Sequence, residues 1–233
     1  MSILVAHLLS IRKQLAIEVQ RFFLLWRYQH PVTPFRLWWR LIIKRVVDVV
    51  AAAAGLLLLT PVLAIVALAV KLDSRGQVLY RQRRVGRFGH PFAMYKFRTM
   101  VVEAEQHGPV WSAGNADPRL TRLGGFLRRS HLDELPQLFN VLRGEMSLVG
   151  PRPERPHFVD TLNQEIARYD ERLLVKPGMT GLAQVHYRYD QTLADVKRKL
   201  RFDLLYVRRM CLMLDAQILA WTMRVVVTGR GIK

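Results

Sequence analysis

Two adjacent acids, Asp133 and Glu134, lie in the middle of a chain that is otherwise heavily basic. Arg128 precedes them, and Arg152 follows in a Gly-Pro-Arg-Pro run whose prolines restrict the backbone around the arginine. Arginines that converge on a carboxylate favour a phosphate-bearing substrate, because the guanidinium fork matches phosphate oxygens. Taken alone, the two acids are also explained as helix-capping residues, so it is the neighbouring arginines that favour catalysis.

A short helix is expected to position the two acids. Proline is tolerated in a first helical turn, so Pro136 predicts a helix that begins near Leu132 or Asp133 and that Gly144 closes. Both carboxylates would then lie at the positive end of the helix dipole, which favours their ionised forms. Adjacent helical residues point about 100° apart, so Asp133 and Glu134 are expected to have different roles. An aspartate placed there can also hold a magnesium ion that shields phosphate charge.

Two strands are predicted at 77–84 and 92–100, with glycines and a proline between them, as in a hairpin with a longer loop. Side-chain alternation places Lys96 and Arg98 on one face of the second strand, where they would add to the positive charge around a phosphate. Residues 101–118 are expected to form a loop.

The rest of the chain predicts a mostly helical α+β domain. Short helices are expected over four stretches: 119–129, 133–143, 156–172 and 192–209. A turn followed by a strand is expected at 176–185. The apolar tail at 204–227 fits a helix that packs on the domain or lies on a membrane.

The charge balance indicates anionic partners, because 36 Lys and Arg residues outweigh 18 Asp and Glu residues and leave a formal charge of +18. The single cysteine, Cys211, rules out an internal disulfide bond. A nucleic-acid-binding protein would explain the charge, but the chain has no recognised motif of that kind and no nucleic-acid partner is expected. The chain also lacks the H-E-x-x-H motif of metal hydrolases and the G-x-x-x-x-G-K motif of P-loop enzymes, so neither class is expected. A non-catalytic membrane scaffold is the other alternative, although it would not need Asp133 between arginines.

Residues 49–70 form an uncharged apolar run that is long enough to cross a bilayer, which takes about 20 residues. Pro61 lies at its centre and removes a helical hydrogen bond, so a bend is expected, and the Thr60 hydroxyl could satisfy a freed carbonyl. Basic residues flank both ends of the run, and each flank favours the cytoplasmic side. A re-entrant helix that enters, bends and returns satisfies both flanks. A kinked full span and a buried core helix are the alternatives.

Three regions are therefore predicted. Residues 1–43 are an N-terminal extension with an interfacial amphipathic helix, 44–72 are the re-entrant membrane helix, and 73–233 are the cytoplasmic catalytic domain. Asp48 shares a helix face with both Lys44 and Arg45 at the start of the membrane helix, and Arg45 and Asp48 are expected to form a structural ion pair.

Seven motifs occur in order: "KRVVD", "TP" within the apolar run, "RQRRVG", "KFRTM", "DPRLTRLGGFLRR", "LDELPQLFNVLRGEMSLVGPRPE" and "KPGMTGLAQV". From about Lys44 to its C-terminus, the chain resembles the bacterial sugar transferase family, the monotopic polyprenyl-phosphate phosphoglycosyl transferases. The resemblance implies one re-entrant membrane helix, broken at Thr60-Pro61, and a small catalytic domain on the cytoplasmic face of the bacterial inner membrane. It implies transfer of a sugar phosphate from a nucleotide sugar, typically UDP-linked, to polyprenyl (undecaprenyl) phosphate. This would be the first membrane step of exopolysaccharide, lipopolysaccharide or other glycoconjugate synthesis.

The resemblance also implies roles for individual residues. Asp133 would be the nucleophile that expels UMP and holds a phosphosugar ester, with a magnesium ion near it. Glu134 would be the second catalytic residue and would position the metal or take a proton. Arg128 and Arg152 would bind phosphate. Substrate contacts are also expected from four side chains within the matched motifs: Lys96, Arg98, Arg84 and Gln184. The expected partners are a UDP-sugar, polyprenyl phosphate and the phospholipid bilayer, and the chain could form a homodimer.

The sequence departs from the family pattern in three places. Thr60 replaces a common serine, Gln77 stands where a proline is frequent, and His186-Tyr187 replaces a usual Asn-Gly. The last change leaves the sugar and nucleotide preference open. Residues 1–43 are too few for the four additional membrane helices that some larger members carry, so a compact form is expected.

Overall fold

The computed structural model describes residues 34–102, 104, 117–187 and 192–228. The predicted N-terminal interfacial helix and most of the predicted loop at 101–118 lie outside these described residues.

The first described helix, α1 (Pro34–Asp73), contains the whole apolar run and extends beyond it at both ends. Pro34 begins the helix, where its missing amide hydrogen has no helical partner in any case. Its 40 residues, at 1.5 Å each, make it about 60 Å long, which is roughly twice the hydrocarbon thickness of a bilayer. Within the described part of the chain, Trp38–Asp73 is the segment long and apolar enough to cross a membrane.

The helical backbone of α1 continues through Pro61 without an interruption. The Thr60 hydroxyl donates to the Leu56 carbonyl at 2.7 Å. The carbonyl that Pro61 leaves without a donor is that of Leu57, four residues earlier. Thr60 therefore supports the neighbouring turn, and not the freed carbonyl itself as the sequence suggested.

The predicted hairpin is confirmed. Strands β1 (Leu79–Val85) and β2 (Pro91–Phe97) pair antiparallel, with Leu79 opposite Phe97. A 3-10 turn at Arg87–Gly89 lies between them. Because β2 ends at Phe97, Arg98 lies beyond the strand and does not share its face with Lys96 in the way that alternation predicted.

Two helices follow the hairpin, α2 (Arg122–Ser130) and α3 (Gln137–Arg143), with a 3-10 turn at Leu132–Glu134 between them. Gly144 ends α3 with a left-handed φ of 83°, which confirms its predicted capping role.

The buried side chain of Asn140 attaches α3 to the open edge of β2. Its Oδ1 accepts a hydrogen bond from the Tyr95 amide at 3.0 Å, and its Nδ2 donates to the Ala93 carbonyl and to Glu145, both at 2.7 Å. Backbone groups at the edge of a two-stranded sheet need such partners when they are covered by protein. Asn140 therefore fixes the hairpin against α3.

Strands β3 (Ser147–Val149) and β4 (Gly178–Thr180) form a short parallel pair. Between them in the chain lie α4 (Pro156–Glu165) and a 3-10 helix at Tyr169–Leu174.

Three helices complete the described chain: α5 (Leu182–His186), α6 (Leu193–Arg209) and α7 (Leu212–Thr228). The predicted helix at 192–209 is confirmed, with Thr192 and Asp195 forming a reciprocal capping box. The apolar tail is the helix α7, whose buried face joins the core through Ile218.

Two predicted elements are different in the structure. The helix expected over 156–172 ends at Glu165, because Ile166 has an extended backbone with φ −127° and ψ 113°, and Arg168 then takes a left-handed φ of 67°. The strand expected within 176–185 is limited to Gly178–Thr180, and α5 follows it. The apolar run at this point is too short for periodicity to distinguish a strand from a buried helix.

The start of the apolar segment of α1 is bound to the domain through polar groups. Arg45 donates to two carbonyls in the last turn of α3, at 2.6 and 2.9 Å. Asp48 accepts a hydrogen bond from the Leu148 amide at 3.1 Å. The predicted ion pair between Arg45 and Asp48 is therefore not the one formed. Arg45 turns to the negative end of α3, and Asp48 instead lies 3.8 Å from Lys44.

The other end of α1 is bound by Arg98. This buried arginine donates to the Val70 carbonyl at 3.2 Å and to the Ser74 carbonyl at 2.6 Å. Within the described residues Arg98 has no carboxylate partner. The carbonyl end of α1 supplies the compensating negative charge.

One apolar face of α1 packs on the domain between these two ends. Ala52, Leu56 and Leu59 lie against a cluster that contains Leu138 and Met146. Further along, Val66 and Val70 pack with Phe97 and Leu127. The opposite face remains exposed, as at Leu57, which is 77% exposed.

We predict that Asn140→Ala lowers the free energy of unfolding by about 2–4 kcal/mol, because it leaves buried backbone groups of β2 without partners. The thermal midpoint of the protein in detergent measures this loss. Asn163→Ala, which makes the same chemical change on the exposed face of α4, is the control and is expected to change the midpoint little. Equal midpoints for the two variants would contradict the role given to Asn140.

Candidate active site

The two acids lie in a tight turn and not in the α-helix that the sequence predicted. His131 ends α2 with a left-handed φ of 58°, and the 3-10 turn Leu132–Glu134 follows at once. Pro136 then precedes α3 in helical conformation. The turn separates the two side chains, so Asp133 and Glu134 meet different surroundings.

Glu134 is bound between two cations. Lys96 Nζ on β2 donates to its Oε1 at 2.8 Å. Arg152 donates to the same oxygen at 2.5 Å and to Oε2 at 3.3 Å, which makes a bidentate contact. A carboxylate held in this way is an ionised counter-ion, because charge-assisted contacts stabilise its charged form.

Asp133 is buried, with 6% of its surface exposed, yet its carboxylate has no hydrogen bond or ion pair within the described part of the chain. Burial raises the pKa of Asp133, and the adjacent Glu134 charge raises it further, while Lys96, Arg152 and Arg128 lower it. It is therefore an unengaged carboxylate in a predominantly cationic setting.

The two pKa shifts have opposite signs. Burial alone would raise the pKa of Glu134, but the charges and hydrogen bonds of Arg152 and Lys96 hold it well below its usual value. Burial lowers the pKa of Lys96, and the Glu134 charge opposes that change. The expectation that the two acids have different roles is thus supported by their surroundings: one binds cations and the other remains available.

The structure brings Asp133, Glu134, Lys96, Arg128 and Arg152 together. Arg128, in the last turn of α2, donates from Nε to the Thr99 hydroxyl at 3.2 Å.

Arg84 and Gln184 lie near this group without touching the acids. Arg84 donates to the Pro153 carbonyl at 2.9 Å and contacts Glu154 at 3.2 Å, so it braces the segment after Arg152. Gln184, on α5, donates to the Met179 carbonyl at 3.2 Å. The prediction that grouped Arg98 with Lys96 is not supported by the contacts, because Arg98 binds the end of α1.

Three residues that the sequence did not single out fix the backbone of Arg152. Arg172 is buried and donates to the Arg152 carbonyl at 2.7 Å. Its remaining donors reach Asp203 at 2.9 Å and the Tyr169 hydroxyl at 3.0 Å. No spacing in the sequence links Arg172 to Asp203, which is 31 residues away, so only tertiary structure could reveal this support.

A small cavity of about 40 Å³ borders Arg152 on the side of this support. Polar side chains in its wall include Glu154, Gln184, Lys199 and Tyr169. The cavity lies between α5 and α6.

The acids fit a magnesium ion that arrives with a substrate, and they do not fit a preformed metal cage. Within the described residues, no group of three or more His, Cys, Asp or Glu side chains converges. Glu134 is occupied by two cations, so Asp133 is the carboxylate that remains for a metal. Magnesium is commonly held by one or two carboxylates together with substrate phosphates, which matches this donor set.

The sequence matches the family described as bacterial sugar transferase over residues 39–229. It is 43% identical over 189 residues to the UDP-N-acetylgalactosamine-undecaprenyl-phosphate N-acetylgalactosaminephosphotransferase of Aeromonas hydrophila. It is 45% and 44% identical, over 183 and 182 residues, to UDP-glucose:undecaprenyl-phosphate glucose-1-phosphate transferases of Escherichia coli and Caulobacter vibrioides.

These alignments cover 81%, 78% and 77% of this chain, and 44%, 39% and 67% of the three relatives. The chain thus spans less than half the length of the first two relatives and about two-thirds of the third.

We predict that Glu134→Gln lowers the free energy of unfolding by about 2 kcal/mol at neutral pH. The loss is smaller than for a fully buried pair, because Arg152 is partly exposed. The folded-state pKa of Glu134 is depressed, so its contribution is present above the unfolded pKa, about 4.3, and disappears as pH falls through the folded value. The thermal midpoints of wild type and variant should therefore differ most above about pH 5 and converge below it. Glu165→Gln, on the exposed face of α4, is the control, and a gap that persists undiminished at low pH would contradict the assignment.

Proposed function

Since the chain belongs to the bacterial sugar transferase family, we propose that it transfers a sugar 1-phosphate from a UDP-sugar to undecaprenyl phosphate. The names of the relatives combine a UDP-sugar donor with undecaprenyl phosphate as acceptor, while the sugar differs between N-acetylgalactosamine and glucose. The observation that carries the proposal is the unengaged Asp133 carboxylate beside a fully engaged Glu134 and among three cations. We leave the sugar unassigned.

In the first step, an Asp133 oxygen attacks the phosphorus that bears the sugar. A P–O bond forms to Asp133, the P–O bond to the UMP portion breaks, and UMP leaves with the electron pair. The carboxylate then holds the sugar phosphate as an aspartyl ester. Two displacements through a covalent intermediate are each easier than one direct reaction between two anionic substrates.

In the second step, a phosphate oxygen of undecaprenyl phosphate attacks the same phosphorus. The bond to Asp133 breaks, the carboxylate is regenerated, and undecaprenyl diphosphate sugar is released. No proton has to be supplied to Asp133 in either step, because the residue enters and leaves as a carboxylate.

The cations around Asp133 reduce the repulsion between its carboxylate and the substrate phosphates. Arg128, Arg152 and Lys96 all favour its ionised form and can donate to phosphate oxygens. Glu134 holds Lys96 and Arg152 in place, and its negative charge offsets the repulsion between these two cations. When bound, magnesium would neutralise part of the phosphate charge, with Asp133 as its protein ligand.

The attachment of α1 supports a membrane helix that enters and returns on one side. Arg45 and Asp48 bind the domain at one end of the apolar segment, and Arg98 binds it at the other. These contacts extend over about 30 residues, or about 45 Å of helix, which exceeds the hydrocarbon thickness. A straight span would draw charged parts of the domain into the bilayer, which is costly. We therefore propose a monotopic enzyme with α1 in one leaflet and the catalytic domain on the cytoplasmic face of the inner membrane.

We predict that purified protein with magnesium and its UDP-sugar, but no lipid acceptor, releases about one UMP per active site. A panel of UDP-sugars identifies the donor. Mass spectrometry should find the added sugar phosphate on the peptide that contains Asp133. Asp133→Asn should abolish the burst and reduce turnover by about 10³-fold or more, because it removes the nucleophile. Asp160→Asn, an exposed position on α4, should leave both unchanged. Normal turnover in the Asp133 variant would exclude the covalent mechanism.

We also predict that both ends of α1 face the same side of the membrane. In a Cys211→Ser background, Arg40→Cys and Arg75→Cys each place one thiol at an exposed position beside the apolar segment. An impermeant maleimide should label both variants in inverted vesicles and neither in right-side-out vesicles. Labelling from opposite sides would establish a full span instead.

A further inference from the structure

A second group of cations lies where the apolar segment of α1 begins, apart from the acids of the active site. We call Lys44, Arg45, Arg87 and Lys176 the basic cluster. Arg45 and Lys176 approach each other over Gly144: a Cβ built on that glycine would lie 3.3 Å from Arg45 Nη2 and 3.5 Å from Lys176 Nζ. The two cationic nitrogens are thus within about 7 Å of one another.

Three members of the basic cluster have partners within the protein. Lys44 binds Asp215 at 2.7 Å and lies 3.8 Å from Asp48. Arg45 donates to carbonyls of α3, and Arg87 donates to the Leu174 carbonyl at 3.2 Å.

Lys176 differs from the other three. In the described part of the chain its ammonium group makes no hydrogen bond and no ion pair, although the residue is half-buried. Asp48 and Asp215 are the two carboxylates beside these four cations, and both contact Lys44. The basic cluster therefore has unbalanced positive charge and at least one ammonium group without an acceptor.

The basic cluster adjoins an exposed apolar surface made by α1 and α7. On α1, Ile43 and Val47 lie next to Lys44 and one turn beyond it and are each 45% exposed, and on α7 Met213 is 71% exposed. The ion pair between Lys44 and Asp215 joins the two helices at this point. A surface with apolar side chains beside fixed cations matches a lipid, whose chains and phosphate need both.

We propose that the basic cluster binds the phosphodiester head group of an anionic membrane phospholipid, with its acyl chains on the apolar surface of α1 and α7. Lys176 would donate to a phosphate oxygen, and Arg45 and Arg87 would add their charge. The site orients the protein on the membrane and does not take part in sugar transfer.

Electrostatics supports a site of this kind. Burial and the charges of Arg45 and Arg87 lower the pKa of Lys176 to about 8. An anion between these groups would reverse the effect of the like charges and favour the ammonium form.

The phosphate of undecaprenyl phosphate has the same chemistry, but the acceptor has to reach Asp133, whose charged neighbours are different side chains. The charges that most affect Lys176 are Arg45, Arg87, Asp48 and Lys44. Those that most affect Asp133 are Glu134, Lys96, Arg152 and Arg128, and the two sets share no member. The basic cluster and the group around Asp133 are thus two different sets of charged side chains.

Native mass spectrometry of the full protein in non-ionic detergent tests the proposal. Phosphatidylglycerol and phosphatidylcholine with identical acyl chains are titrated separately. The wild-type protein should bind one molecule of phosphatidylglycerol, and its affinity for this lipid should be higher than its affinity for phosphatidylcholine. Lys176→Gln should lose about fivefold in affinity for phosphatidylglycerol and little for phosphatidylcholine, the size expected for one basic residue at a membrane surface. Lys197→Gln removes the same charge from an exposed position on α6 and should bind like wild type.

Several outcomes would overturn the proposal. These are a wild type without preference for the anionic lipid, a Lys176→Gln variant that keeps the preference, and displacement of phosphatidylglycerol by equimolar undecaprenyl phosphate. If Lys176→Gln does not fold, two measurements still test the proposal. The lipid preference of the wild type needs no variant, and Lys176→Arg, which keeps the charge, should bind phosphatidylglycerol as the wild type does. The UMP burst distinguishes a failure of the lipid site from a failure of the proposed catalytic function. Lys176→Gln should release UMP as the wild type does while its affinity for phosphatidylglycerol falls.

Discussion

The contact of Glu134 with Lys96 and Arg152 is the constraint on which the active site depends. It joins three parts of the chain: the strand β2, the turn between α2 and α3, and the segment that follows β3. Cations crowded together repel unless an anion lies between them, and Glu134 is that anion. Burial of its charge has a desolvation cost, so the contact fixes one arrangement of the three parts in addition to what the Glu134 charge contributes to stability.

Arg152, the second cation of this contact, is also held through its backbone carbonyl. Arg172 binds the carbonyl of Arg152, while Asp203 and Tyr169 satisfy the other donors of Arg172. A buried arginine whose three side-chain nitrogens each have a hydrogen-bond partner has few alternative rotamers, so it can hold a backbone at a defined position. The orientation of the Arg152 side chain is thus determined on one side by Glu134 and on the other by α6, through Asp203.

Several features of this arrangement can be predicted from the sequence, whereas others depend on contacts between distant segments. The hairpin, the cap at Gly144 and the helix that begins after Thr192 follow from local chemistry, which acts over a few residues. The motif around Asp133 singled out the candidate reacting residues through its resemblance to the bacterial sugar transferase family. The actual partners of Arg45, and the support that Arg172 gives to Arg152, depend on segments about 20 to 100 residues apart, so no local pattern could reveal them. The turn at the two acids was mistaken for a helix because proline permits both.

The positions of Lys96 and Arg98 connect the chemistry to the membrane. Side-chain alternation put both on one strand face, but β2 ends between them, and they go to different partners. Lys96 binds the counter-ion of the active site, and Arg98 binds the carbonyl end of the membrane helix. Two residues of extended chain span about 7 Å, so this short length of backbone limits how far the contact between Lys96 and Glu134 can lie from the end of α1. An enzyme that joins a soluble donor to a lipid acceptor needs that distance to be constant, because both substrates must reach the same phosphorus. Among the described residues Arg98 has no carboxylate partner, and the carbonyl end of α1 compensates its buried charge.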